Sequence, residues 1–417
     1  MTGSAPAKRV AIVTGANTGV GYAIVQRLVQ ESPDPLIVIL ACRNKNRAQE
    51  ALDSLQEYFT KLQSHDPTRS FHPPDLRLEL VDVGSVASVL AFNHRILQQF
   101  TRVDFLFCNA GVLPSVGLRW GKIITEMFMS PMDLFRRSDV LLQPKQHKTE
   151  DGIANVIACN VFGHYLMARG LESVLEGPSA SQPGKVIWTS SLTAEKDSFD
   201  PNDWQGFESI QPYENSKWVT DLIAIRLNEV WSGVEGETED RALTSGSSTS
   251  VLDSTPPGSM RRVTRSSSKM ALESSSTTTM ANAKKNIVSI TTQPGVVCSG
   301  IGGLAVWIIL LRMSFHYLVR IFGERNQTIS SYHGAYSNTY VALANVSTVA
   351  STTEPSVATA RAELDYRFKY GSAVGSFGKE FLKVEHVHEY ERAQGKAVLD
   401  EMEILRQQFL KGDAAKC

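Results

Sequence analysis

The chain has 417 residues, of which 42% are hydrophobic and 20% charged, a composition that can bury a core and excludes a chain disordered or collagen-like throughout. Lysine and arginine together number 42 and aspartate and glutamate 43, for a net charge of −1, which argues against a generally basic nucleic-acid binder. The cysteines Cys42, Cys108, Cys159, Cys298 and Cys417 are odd in number and form no C-x-x-C pair, so neither a disulfide framework nor a metal site is indicated.

From the N-terminus, the apolar run in MTGSAPAKRVAIVTGA is too short for a secretory h-region, so the expectation is a chain that reaches the cytosol and stays reduced. Val10 to Thr14 is a strand-like run ending in glycines, and Val20 to Glu31 has helical spacing. Leu36 to Cys42, Leu76 to Asp82 and Val103 to Asn109 are further apolar runs. Such runs, separated by helical stretches, predict buried parallel strands joined by crossover helices. Pro114 to Lys148 is a long connection expected to flank a crevice. A helix around Gly152 to Leu175, a strand at Lys185 to Ser190, a helix from Tyr213 to about Trp231 and a last strand at Asn286 to Thr291 complete the alternation. The fold expected is a Rossmann-like, doubly wound α/β sheet. Residues 1–235 and 286–300 are read as the dinucleotide-binding catalytic domain. Residues 236–285, rich in Ser and Thr with few aromatics, are expected to be a disordered insert. Residues 301–323 form a hydrophobic lid or membrane-associated segment, and 324–417 a substrate-side and helical extension. In that extension Val398, Met402, Leu405 and Phe409 have the spacing of an amphipathic helix.

Gly15-Ala16-Asn17-Thr18-Gly19-Val20-Gly21 follows the first strand and opens the first helix. Glycines there let the backbone turn and approach a pyrophosphate, which the helix N-terminus would bind. After the second strand, an NAD site places a carboxylate that accepts from the ribose 2′-hydroxyl. This chain has Ala41-Cys42-Arg43-Asn44, and Arg43 suits a 2′-phosphate, so NADP(H) is favoured. Asp82 is a candidate to hold the adenine. Asn109, in Asn109-Ala110-Gly111, and the pair Pro294-Gly295 would line the cofactor.

Tyr213 and Lys217 lie four apart, hence on one helical face. A free phenol has a pKa of about 10; a neighbouring ammonium and the positive nicotinamide ring would lower it and allow proton exchange with a carbonyl oxygen. Ser191, at the end of the strand Lys185-Val-Ile-Trp-Thr-Ser-Ser191, is the first candidate to hold the substrate oxygen, with Ser190 second. Asn160 stands mid-helix in IACNVFGHY, where asparagine is a poor helix former; it reads as a kink or water site linking Lys217 to solvent.

In order, TGANTGVG, the NAG at 109–111, Asn160, Ser191, YENSK and the PG at 294–295 resemble the motifs of the short-chain dehydrogenase/reductase family over residues 8 to about 300. The resemblance implies Tyr213 as general acid in ketone reduction and Lys217 on the nicotinamide ribose. It also implies Ser191 polarising the carbonyl and Asn160 supporting a proton relay. Within the family, ACNVFGHY, VIWTSS, YENSKWVTDL, TTQPGVV, the hydrophobic stretch to Phe322-Gly323 and Lys369 to Ala373 resemble the fungal 3-keto-steroid reductases of ergosterol synthesis. That implies NADPH and a sterone substrate such as zymosterone. It also implies association with a C-4 sterol oxidase and a C-3 decarboxylase at the cytosolic face of the endoplasmic reticulum or on lipid droplets. A reductase of retinal or another lipid carbonyl, and a weakly active scaffold, are the alternatives.

Ile301 to Leu311 is apolar and uncharged, and Arg312, His316 and Arg320 then recur every four residues. A spanning helix needs about 20 mainly apolar residues, which this stretch reaches only by including two arginines. An apolar side opposite a basic stripe suits a helix lying in a membrane interface; a buried lid and a true span are the other readings.

Overall fold

The computed structural model describes residues 8–65, 72–129, 140–233, 284–298, 306–321, 323–345, 364–387 and 389–414. The insert expected over 236–285 lies outside these, apart from Lys284 and Lys285.

β1 (Arg9–Thr14) and β2 (Leu36–Cys42) are buried along almost their whole length, as continuous Val, Ile and Leu runs require when helices cover both faces of a sheet. β3 (Asp75–Leu80) is only half-buried, since it has a neighbour on one side alone. β4 (Phe105–Cys108), β5 (Gly184–Thr189) and β6 (Ile287–Gln293) are buried throughout. β7 (Phe368–Val374) and β8 (Glu380–His386) follow. The strand order is β3-β2-β1-β4-β5-β6-β7-β8. Every pairing from β3 to β7 is parallel, and β8 closes the edge antiparallel to β7.

The sheet therefore runs two strands past Asn286–Thr291, the last strand expected from sequence. FKYGSAV lacks the apolar density of the earlier runs. Tertiary pairing makes it a strand: Gln293 aligns with Gly371, and a Cβ at Gly371 would sit 2.1 Å from Gln293 Nε2. Only glycine lets the two strands carry that amide between them.

On one face α1 (Gly19–Glu31) and α2 (Lys45–His65) bury Ile24, Leu28, Leu55 and Phe59 against the sheet. On the other, α3 (Val86–Gln99) contributes Val89, Phe92 and Ile96 to a second core. The long connection forms α4 (Trp120–Met129) and a small antiparallel ladder of Gly117–Leu118 with Leu141–Leu142. The single helix expected over Gly152–Leu175 is broken. A short turn at Asn155–Ile157 leads into a π turn at Ala158–Phe162, then α5 (Gly163–Gly170) and a last turn at Glu172–Leu175. Asn160 sits in the π turn, where the ladder takes in one extra residue.

α6 (Pro212–Ser232) is buried at every residue from Glu214 to Trp231, because it lies against β6 and is covered in turn by α9 (Arg392–Ala414). The C-terminal helix thus packs on the body: Val398, Leu399 and Met402 join the second core, Phe409 stacks 6.1 Å from Phe162, and Tyr165 donates to Glu403 at 2.6 Å. Burying three such side chains stabilises the docking by about 1.5–3 kcal/mol each.

Between β6 and β7 come α7 (Val306–Ile321) and α8 (Tyr336–Leu343). α7 has 16 residues, about 24 Å of helix, against a hydrocarbon core of about 30 Å. No helix among the described residues is long and apolar enough to cross a membrane. The faces of α7 also correct the expected arrangement. His316 and Arg320 of the basic stripe are buried rather than exposed, and His316 Nδ1 lies 2.5 Å from Gln327 Oε1. Leu310, Phe315, Leu318 and Ile321 face outward. The side chain of Arg312 lies outside the described residues.

Candidate active site

The carboxyl ends of β1, β4, β5 and β6 gather the residues singled out above. After β1, Gly15 N donates to Ala41 O at 2.8 Å, tying the turn to β2. A Cβ at Gly21 would lie 2.4 Å from Gly15 O and 2.6 Å from Asn109 Nδ2, so only glycine lets α1 start this close to the turn. Thr18 is the N-cap residue of α1, yet its side chain makes no capping bond, leaving first-turn N–H groups for an anion. The backbone N–H groups of Ala16 and Asn17 donate to the Cys42 sulfur, which backs the loop. Val20 lies in the first turn of the helix.

At the end of β2, Arg43 is largely exposed, and its Nη1 lies 3.8 Å from Asp82 Oδ2. Asp82 also accepts from Gly84 N at 3.0 Å. The pair forms a charged rim beside the glycine turn, with the guanidinium reachable from solvent. Asn109 faces inward: its backbone N–H donates to Thr14 Oγ1 at 2.8 Å and its side-chain amide to Thr14 O at 3.0 Å. On the far side, Gly295 (φ 70°) follows Pro294. Its N–H donates to Gln293 Oε1 at 2.7 Å, and Pro294 O accepts from Thr328 Oγ1 at 2.9 Å.

The catalytic candidates converge on α6. Lys217 Nζ donates to Thr189 O at 2.8 Å, at the end of β5, and lies 5.5 Å from the centroid of the Tyr213 ring. The Ser191 hydroxyl hydrogen-bonds the phenol and is 3.0 Å from Thr193 Oγ1. Ser190 is buried and points the other way, donating to Lys217 O at 3.4 Å. Asn160 stitches three segments together. Its Oδ1 accepts from Val112 N at 2.7 Å, and its Nδ2 donates to Val112 O at 3.1 Å and to Ser216 Oγ at 3.0 Å. The side chain thus bonds the loop after β4 and the first turn of α6 rather than Lys217.

The electrostatics differ from the expectation for Tyr213. Burial pushes the phenol up to about 12, against the hydrogen bond from Ser191, and Glu214 adds to the rise. The ammonium beside it does not reverse this. Burial also lowers Lys217 to about 8, opposed by Asp221 and assisted by Lys369. Both groups are therefore poised in the forms a proton donor and its cationic neighbour need at neutral pH.

Five residues of the site were not named as candidates in the sequence, although Thr14, His164, Asp221 and Lys369 lie inside stretches that carry the resemblance. Gln143 accepts from Tyr213 N at 2.9 Å and donates to Glu214 at 2.6 Å, fixing the first turn of α6 from the long connection. Thr14 Oγ1 donates to Phe107 O at 2.9 Å and lies 2.9 Å from His164 Nε2. Burial and Lys217 push His164 down to about 3. Asp221 continues the Tyr213–Lys217 face by one more turn and is ion-paired with Lys369 of β7. The four-residue spacing of Asp221 from Lys217, inside YENSKWVTDL, is the signal that could have found it. Gln143 has none, because 70 residues separate it from Tyr213; Lys369 is 148 residues from Asp221, and only its place in the Lys369 to Ala373 stretch marks it.

Residues 9–202 match the short chain dehydrogenase family. The chain is 34% identical over 222 residues to the 3-keto-steroid reductase/17-beta-hydroxysteroid dehydrogenase 7 of Homo sapiens, covering 53% of this chain and 61% of that one. It is 32% identical over 225 residues to a 3-keto-steroid reductase of Schizosaccharomyces pombe, covering 52% and 62%. A 3-keto-steroid reductase of Aspergillus fumigatus is 26% identical over 397 residues, covering 90% of this chain and 80% of that protein. The chain thus spans about three-fifths of the length of the first two relatives.

Proposed function

We propose that the protein, whose residues 9–202 match the short chain dehydrogenase family, is an NADPH-dependent 3-keto-steroid reductase acting on the C-3 ketone of a sterone. The observation that carries the reading is the convergence of Ser191, Tyr213 and Lys217 at the end of β5. The names of the relatives support the choice of substrate class.

The chain's own residues fit a nicotinamide dinucleotide. Gly15 to Gly21 form a cradle that a Cβ at Gly21 would fill, and the free turn of α1 would take the pyrophosphate. Arg43 would pair with a 2′-phosphate, and Lys217 would hold the ribose hydroxyls. Pro294 and Gly295 would border the nicotinamide. The chemistry such a cofactor supplies is hydride transfer to the carbonyl carbon. Tyr213, protonated at neutral pH, donates its proton to the carbonyl oxygen. Ser191 donates a hydrogen bond to the same oxygen and stabilises the charge that develops there. Asn160 keeps the loop after β4 and the first turn of α6 in register, so the three donors hold their geometry.

A sterone is insoluble in water, and the exposed Leu310, Phe315, Leu318 and Ile321 of α7 suit contact with a membrane surface. The cytosolic face of the endoplasmic reticulum, or lipid droplets, is its proposed location. A C-4 sterol oxidase and a C-3 decarboxylase are its proposed partners there. The test is to incubate the purified full chain and NADPH with a 3-keto sterol, and separately with retinal, in detergent micelles. Following absorbance of the reduced nicotinamide, consumption with the sterone and little with retinal is expected. The reverse preference would replace the substrate class, and no consumption with either would sink the reductase reading.

A further inference from the structure

Behind Lys217 lies a buried charged pair that the reaction as described does not use. Tyr213, Lys217 and Asp221 occupy successive turns of one face of α6. Asp221 is fully buried, and Lys369 nearly so. The Lys369 ammonium, reaching across from β7, pairs with the Asp221 carboxylate and donates to Ser191 O at 3.2 Å. One pair therefore touches the strand end that carries Ser191 and the helix face that carries Lys217. We propose that Asp221 and Lys369 are positioning residues: Asp221 holds Lys217 in its charged form, and Lys369 ties that carboxylate to the backbone of Ser191.

The balance of buried charge sets these roles. A fully buried ammonium is disfavoured by desolvation; Lys217 is one, and the Lys369 ammonium pairs with the same carboxylate, Asp221. Around Lys217 the other titratable groups are Tyr213 on the same helix and His164 from α5, which burial keeps neutral. Asp221 is thus the carboxylate that favours the charged form of Lys217. Removing it leaves two buried cations repelling each other; removing Lys369 leaves the anion to Lys217 alone. The two deletions must move the Lys217 titration in opposite directions, which a purely structural contact would not do.

This inference deepens the reductase reading and rests on it for its catalytic meaning, so the test is read without cofactor or substrate. The full chain is labelled with 13C at lysine Cε, the Lys217 signal is assigned with Lys217→Arg, and its titration is followed by NMR. In the unaltered chain the midpoint is expected near pH 8. Asp221→Asn should lower it by about one pH unit or more, Lys369→Met should raise it by about half a unit, and Asp221→Glu should restore it. Should one variant fail to fold, the direction of the other still decides. A midpoint unmoved by Asp221→Asn, or moved the same way by Lys369→Met, overturns the proposal. Failure of the wild-type chain to consume NADPH with a sterone would instead strike the reductase reading, while the titration would still decide the role of the pair.

Discussion

α6 and α7 carry the same kind of signal in sequence, polar groups every fourth residue, and the fold uses the two in different ways. In α6 the stripe of Tyr213, Lys217 and Asp221 turns into a layer of strand-end carbonyls, hydroxyls and a second lysine. Each charge there finds a partner, and the rest of the helix is buried as well. In α7 the stripe of His316 and Arg320 also turns inward, while Leu310, Phe315, Leu318 and Ile321 are exposed. Periodicity thus identifies the faces of a helix, whereas the choice of buried face depends on what the rest of the chain places next to it. The outward apolar residues of α7 are the basis of the membrane contact proposed above.

The largest effect is expected where α6 meets the substrate. Tyr213→Phe should reduce turnover by about 10³-fold, the usual contribution of a positioned general acid, while NADPH affinity measured by fluorescence stays within about twofold. Equal loss of both would mean that the ring holds the helix rather than the proton. Next comes the cofactor rim, which neither helix forms. Arg43→Asp should shift the ratio of kcat/KM for NADPH over NADH by about 10- to 100-fold toward NADH, as the loss of a charge-assisted hydrogen bond implies. An unchanged ratio would take Arg43 out of cofactor recognition. The smallest effect belongs to α7. Replacing both Leu318 and Ile321 with glutamate should weaken sedimentation with phosphatidylcholine vesicles by about tenfold. The thermal midpoint should move by less than about 2 °C, since neither side chain is buried. A large loss of stability would make α7 a core element and remove the contrast with α6.

Much of the fold could be read directly. LIVILAC is buried on both faces because its run is continuous, and TGANTGVG opens a helix because its glycines permit the close turn seen at Gly21. Tyr213 and Lys217 share a face because four residues make about one turn. The parts that could not be read depend on contacts distant in sequence. FKYGSAV became a strand through Gly371 against Gln293, and Gln143 reached Tyr213 from a connection with no regular pattern. The high pKa of Tyr213 arises from burial, which a spacing rule for an ammonium four residues away does not contain. The break in the helix at Asn160 was signalled by a poor helix former, but its π geometry follows from bonds to Val112 and Ser216.

The role proposed for Tyr213, Lys217 and Ser191 is reduction of a sterol ketone at C-3, and transfer of label tests it without intermediaries. NADPH deuterated at the transferable position of the nicotinamide is incubated with the purified chain and a 3-keto sterol, and the product is analysed by mass spectrometry. One deuterium at C-3 of a 3-hydroxy sterol is the expected result. Recovery of the unreduced ketone, or of a product labelled elsewhere, would contradict that role.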